Sequence, residues 1–279
     1  MKIIYRSDFG TVEMSGSEND GFSICEIAGM ELLGRERSLV NFYNSDGYYQ
    51  SGARYGQRVI TVSGDIKVSS RDKIKQAVSV LSCPGTLKVE SKDEEREITV
   101  NDATFSLSEK NGAYKKFVAQ FTCDFSHFTD CSNRRAGVHL RKNIITSETV
   151  LPAVFSERYS SGVVKNSGDF AVEPIIFIKC IKQTDGEEGT LEIINHTTGK
   201  TLKILHTLTE GETIILDIPN RTIESDLAGS LLNKLALGSY LSEMVLCSGE
   251  NEIEVLALGG NRNTEVYLEY RNLYAGVIA

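Results

Sequence analysis

The C-terminal half of this chain is an ordered run of five segments, each joining a turn signal to a β-type stretch. They are NSGDFAVEP (Asn166–Pro174), IINHTTGKTL (Ile193–Leu202), LTEGETIILDI (Leu208–Ile218), CSGENEIEVLAL (Cys247–Leu258) and VYLEYRNLYAGV (Val266–Val277). Each pairs Asn, Gly, Asp or Thr with residues drawn from Ile, Leu, Val and Tyr. Short strands punctuated in this way are the pattern of an antiparallel β-sandwich. No catalytic constellation accompanies them, so architecture and assembly carry the functional argument.

A chain of 279 residues has room for two domains. The N-terminal half opens on short apolar runs, MKIIY, FSICEIAG and SLVNFY, separated by Gly, Ser, Asn and Asp. A polar, tyrosine-rich loop follows, NSDGYYQSGARYGQ (Asn44–Gln57). In RVITVSGDIKV (Arg58–Val68), Val59, Thr61 and Ser63 alternate with Ile60, Val62 and Gly64, which marks a strand with two unlike faces. One helix comes next, capped by Ser69 or Ser70 and started by Asp72. Its apolar stripe is Ile74, Ala77, Val78 and Leu81, and Pro84-Gly85 ends it. TLKVES and REITV read as a hairpin around the charged tip KDEE, and KKFVAQFTCDF (Lys115–Phe125) as a further long strand. Between Ser225 and Leu246 the leucines are dense, but Gly229 and Gly238 discourage one long helix. That stretch reads as a strand, turn and loop, or as one short helix.

The resulting fold class is mainly β. An N-terminal α+β domain with one short helix on a sheet occupies residues 1–130. A connector occupies 131–162, and an antiparallel β-sandwich occupies 163–279.

Several function classes are disfavoured. The formal net charge is −8, and the densest charged stretch, Glu90–Glu97, has an acid excess, so the basic patch of a nucleic-acid binder is missing. No apolar run approaches the length of a membrane-spanning helix. The start, MKIIYRSDFG, reads as a strand rather than a secretory signal. The six cysteines form no CxxC pair, and Cys123 and Cys131 flank His127 at a spacing that matches no common zinc signature; they read as buried reduced thiols. Asp65, Asp72, Asp93, Glu94 and Glu95 fall at expected tips and helix ends, which suits solvated surface better than a facing carboxylate pair. His139, His196 and His206 make no ligand set, and neither a G-x-S-x-G element nor a phosphate-binding loop is present. The expectation is a protein that is not an enzyme and carries no cofactor and no metal.

The order of these segments resembles the distal tail protein of siphophages over nearly the whole chain. The resembling residues are RVITVSGDI with the helix RDKIKQAVSVLSCPGTLKV, then NSGDFAVEPIIFIKC, INHTTGKTLKI, LTEGETIILDI and SGENEIEVLAL. This chain lacks the usual Pro before Gly249, and its ending EYRNLYAGV departs from the usual aromatic close. The resemblance implies that the N-terminal domain forms a homohexameric ring on the end of the tail tube and that the C-terminal sandwich is galectin-like. It implies as partners the tail tube protein, the tail-tip hub protein and, in some phages, receptor-binding proteins. DNA would pass through the central channel without specific binding. The protein would sit in the virion tail tip, after assembly in the host cytoplasm, with no membrane insertion.

Two surfaces are candidates for contact. Tyr48, Tyr49, Arg54 and Tyr55 form a possible intersubunit contact, because Tyr and Arg offer apolar area with a polar end. The bland alternative is a hairpin tip whose rings fold back on their own domain. The basic connector residues Arg134, Arg135, Arg141 and Lys142 read as a solvated linker or as a partner for an acidic neighbour. An alternative function is a carbohydrate-binding module for bacterial surface glycans. Its sugar platform would come from Tyr267, Tyr270 and Tyr274, with Tyr270 and Tyr274 on one strand face.

Overall fold

The structure, a computed structural model, describes residues 1–16, 21–92, 94–109, 111–139, 160–182, 188–261 and 263–277. The chain divides into two units. The first contains Met1–Cys131 and Leu273–Ala279, and the second contains Ser132–Asn272.

The strands of the first unit are β1 (Lys2–Ser7), β2 (Gly10–Ser15), β3 (Phe22–Ala28), β4 (Arg35–Asn41), β5 (Tyr48–Tyr55) and β6 (Arg58–Lys67). Helix α1 (Arg71–Leu81) follows, then β7 (Gly85–Glu90), β8 (Glu95–Val100), β9 (Asp102–Glu109), β10 (Tyr114–Cys123) and β11 (Phe128–Asp130). The second unit holds β12 (Arg134–His139), β13 (Ser160–Asn166), β14 (Ile175–Lys182), β15 (Thr190–Asn195), β16 (Lys200–Ile204) and β17 (Thr213–Asp217). It continues with β18 (Thr222–Ser225), β19 (Gly229–Ser230), β20 (Gly249–Leu258) and β21 (Asn263–Tyr270). The last strand, β22 (Leu273–Tyr274), pairs with β11 and so belongs to the first unit.

The main sheet of the first unit has ten strands in the order β22-β11-β8-β7-β1-β2-β3-β6-β10-β9. It must curl, because Tyr5 on β1 packs on Phe121 of β10 at 5.3 Å although β2, β3 and β6 lie between them in the sheet. Curling lets one apolar face close on itself around Ile3, Val62, Leu87, Ile98 and Phe117. Gly64, inside the alternating strand, meets a bulge of β3, where the register shifts between Ile24 and Glu26. A Cβ there would stand 2.0 Å from the Ser23 carbonyl oxygen, so only glycine admits this crossing.

Helix α1 differs from its predicted face. Ala77, Val80 and Leu81 are buried, with Ile74 half-buried beside them, while Val78 is 53 % exposed. The real stripe runs Ile74, Ala77, Val80 and Leu81, a rotation that lets Ser7 of β1 donate to the Val80 carbonyl at 2.7 Å. Ser70 occupies the N-cap, but its side chain makes no cap bond. Its backbone carbonyl accepts from Ile74 at 3.1 Å.

The second unit is an antiparallel β-sandwich. A six-stranded sheet, β12-β21-β14-β17-β18-β19, is joined by a four-stranded sheet, β13-β20-β15-β16. Ile176, Ile178, Ile193, Leu202, Leu216, Ile253 and Leu268 are among its buried residues. Fully buried asparagines brace the turns named by the sequence motifs. Asn166 accepts from Gly168 and donates to Phe170 and Leu246 carbonyls. Asn195 accepts from Thr197 and Thr198 and donates to Val245, and Asn251 bridges both backbone groups of Cys247. A buried amide that satisfies backbone groups in this way fixes a turn, while removing it orphans them. The Ser225–Leu246 stretch resolves into β19 and two single turns of 3₁₀ helix, Leu232–Lys234 and Leu241–Glu243.

Two segments differ from expectation. The expected connector begins instead as a strand, since Arg134 and Arg135 lie on β12 paired with β21; Arg141 and Lys142 are outside the described residues. The segment Val266–Val277 splits, with Val266–Tyr270 in the sandwich and Leu273–Val277 in the first unit. Among the described residues no helix is long and apolar enough to cross a membrane.

Candidate assembly surface

The tyrosine-rich segment is a strand, not a loop. β4 and β5 form a two-stranded sheet of their own, with Arg35 opposite Tyr55, Val40 opposite Tyr49 and Asn41 opposite Tyr48. The hairpin fits the sequence: Ser, Gly and Asn sit at its tip, where Asn44 and Gly47 take positive φ of 62° and 115°. All of β4 is exposed, and so is β5 up to Arg54. Along this arm Leu39, Val40, Phe42, Tyr43, Tyr48 and Tyr49 all present apolar area to solvent, with Tyr43 94 % exposed. A lone two-stranded hairpin is marginal in water, and large exposed apolar side chains in general lower solubility.

The four candidate residues therefore part: three stay exposed and Tyr55 folds back. Tyr48 and Tyr49 are 66 % and 61 % exposed. Arg54 pairs with Glu36 at 3.5 Å in open solvent, an interaction that contributes little. Tyr55 folds back at the root, where Arg35 covers its ring at 5.0 Å and His127 meets it edge-on at 5.1 Å. Phe125 adds a second ring 5.2 Å from His127. Burial, reinforced by the nearby Arg58 charge, holds His127 below its ordinary titration range.

Arg58 is the residue that sequence reasoning passed over. It is 1 % exposed and donates to four carbonyls: Ser126 at 2.6 Å, Gly29 at 2.7 Å, Glu31 at 2.9 Å and Ala275 at 2.6 Å. Its guanidinium also lies 5.0 Å over the Phe128 ring. Burial lowers its pKa, yet an arginine keeps its proton at any working pH. The signal was present in the alternation. Extending the buried face of β6 back from Ile60 by two residues places Arg58 on it.

The remaining candidates do not assemble into a site. Glu94 pairs with Arg96 at 2.9 Å and Glu95 with Lys88 at 2.9 Å, while Asp93 is outside the described residues. His196 meets Glu254 at 2.7 Å, and His206 meets Glu212 at 2.9 Å. All six cysteines are free thiols, but only Cys123 and Cys180 are buried, and Cys25 is exposed. Burial pushes the Cys123 thiol up to about 11. Among the described residues no cluster of His, Cys, Asp and Glu could hold a metal ion.

The proposed sugar platform is also not formed. Tyr270 is buried and donates to the Lys165 carbonyl at 2.9 Å. Tyr274 is buried in the first unit, where it donates to Asp130 at 2.9 Å, so the two share no strand face. Tyr267 stands on the outer face of the six-stranded sheet, stacked on Phe177 at 4.7 Å and covered by Arg135 at 3.5 Å. Phe177 and Tyr267 are register partners across β14 and β21, so the Tyr267 ring is engaged by both a ring and a guanidinium.

Neither protein-family models nor curated proteins match this sequence. Solved structures do. This chain has the fold of the SPP1 Dit protein. The two superpose with a TM-score of 0.67 at 14 % identity, over 97 % of this chain and 98 % of that one. SPP1 Dit is described as a paradigm of the hub adsorption apparatus in phages that infect Gram-positive bacteria. The phage p2 baseplate in its activated conformation with strontium gives a TM-score of 0.42 at 8 % identity, over 96 % and 97 % of the two chains. The correspondence with SPP1 Dit runs through both units rather than through one shared domain.

Proposed function

We propose that this protein is a structural component of a phage tail tip, a distal tail hub protein that forms a ring. The observation that carries this reading is the end-to-end fold correspondence with SPP1 Dit. Similarity confined to one unit would speak only for a common sandwich, whereas two unlike units joined in the same order are an uncommon coincidence. In this reading about six copies close into a ring through the first unit. The ring joins the tail tube to the tip complex, and the arm reaches a neighbouring copy through Tyr48 and Tyr49. The net charge of −8 suits a channel that passes DNA without gripping its phosphates. A glycan-binding role is disfavoured, because Tyr270 is buried and the Tyr267 ring is already stacked on Phe177 and covered by Arg135.

Light scattering over a range of concentrations, with negative-stain images of the same sample, tests this reading. Rings of about six subunits with an open centre are expected. The double substitution Tyr48→Ala and Tyr49→Ala should shift the sample toward monomer without changing its fold. A wild-type protein that stays monomeric both alone and on purified tail tubes would overturn it.

A further inference from the structure

We propose that residues 273–277 are a strap that locks the root of the β4–β5 arm, so that the arm is held in place only after the second unit has been made. The arm is flanked by Gly29–Glu31 on one side and by Arg58 on the other. Both flanks are gripped by the returning segment. Ala275 takes one of the four Arg58 hydrogen bonds, and the Val277 amide donates to the Met30 carbonyl at 3.0 Å. Arg96 donates to the Gly276 carbonyl and lies 3.8 Å over the Tyr274 ring. Tyr274 and Val277 are buried in the core that also holds Met30. Without the strap, the buried Arg58 guanidinium loses a partner, and the Met30 carbonyl loses its donor.

The order of the chain gives this contact a consequence. β22 follows β21, so the strap is synthesised after the whole sandwich, while the arm precedes it by more than the length of that unit. A nascent chain therefore has an arm with an incomplete root. Since a two-stranded hairpin has little stability of its own, the root decides whether the arm is presented in one conformation. The strap and the arm root both belong to the first unit. That a late-made strap would also delay ring closure is a consequence that rests on the ring reading above.

Hydrogen exchange read by mass spectrometry on the full chain tests the strap. Gly276→Ala is the sharpest variant, because its Cβ would stand 2.5 Å from the Met30 carbonyl oxygen and push the strap from the root. Arg96→Gln is a milder second variant that releases Gly276 and Tyr274 while leaving Arg58 in place. In both, amides of residues 29–58 should exchange about tenfold faster, with β1, β7 and β10 unchanged. Unchanged exchange in the arm would overturn the strap. So would loosening of the arm and of β1, β7 and β10 together, since the segment would then be general core. If exchange responds as expected but the wild-type protein never forms rings, the strap stands and the ring reading falls.

Discussion

Glu212 is the clearest case of a single side chain holding a unit together. It is 1 % exposed and accepts from the Thr209 amide at 2.8 Å, the Thr209 hydroxyl at 3.0 Å, His206 and Ser225. Burial alone would raise its pKa, but hydrogen bonds from Ser225, Thr209 and His206 outweigh that effect and leave it below the ordinary 4.5. A carboxyl with a lowered folded pKa contributes stability that is full above the unfolded value and lost as pH falls through the folded one. Glu212→Gln should therefore destabilise the sandwich by about 1–3 kcal/mol near neutral pH, because the new amide faces donors. Urea unfolding followed from pH 7 downward checks this. The gap between wild type and variant should narrow below about pH 4.5; a gap independent of pH would contradict the assignment. Arg58 shows the same principle with a cation, satisfied by carbonyls instead of by a carboxylate.

Among the elements, β6 is the one on which the first unit turns. It pairs with β3 on one side and β10 on the other, and its first residue braces the arm. Gly64 lets the bulged β3 pass close, with Phe117 of β10 pressed 2.9 Å from where a Cβ would be. Gly64→Ala should cost about 1–3 kcal/mol in the first unit, the usual penalty for overpacking a close crossing. Thermal or urea unfolding measures it, and a neutral outcome would mean that β3 can shift away. The β4–β5 arm stands at the other extreme, with β4 exposed throughout and β5 exposed up to Arg54.

At the scale of the whole molecule, the sandwich is an insertion. The chain leaves the first unit after β11 and returns at β22, and these two strands are hydrogen-bonded neighbours, with Phe128 opposite Tyr274. On the sandwich side β12 and β21 pair as well, with Arg134 opposite Tyr270, and Arg271 donates to Asn133 at 2.6 Å. Each unit has its own buried apolar set, so calorimetry should resolve two transitions. Gly64→Ala should lower one of them and Glu212→Gln the other. A single transition shifted equally by both would show that the units unfold as one.

Much of this molecule was legible in its sequence, because local patterns carry local structure. Period-two alternation marked β6 and β10, the helix stripe was misplaced only by its rotation, and the asparagine and glycine turns of the sandwich fell where buried amides brace the backbone. The tyrosines were noticed, but their strand was not, since Gly, Ser and Gln within β5 read as loop residues. What sequence could not give was anything set by contacts between distant segments. That Arg58 is satisfied by residues 29, 31, 126 and 275, and that β22 pairs across an inserted unit, depend on which ends of the chain meet. Periodicity reports which face of an element is buried. Only the closed fold decides what that face is buried against, because a hydrogen bond between residues 217 positions apart leaves no trace in the spacing of either.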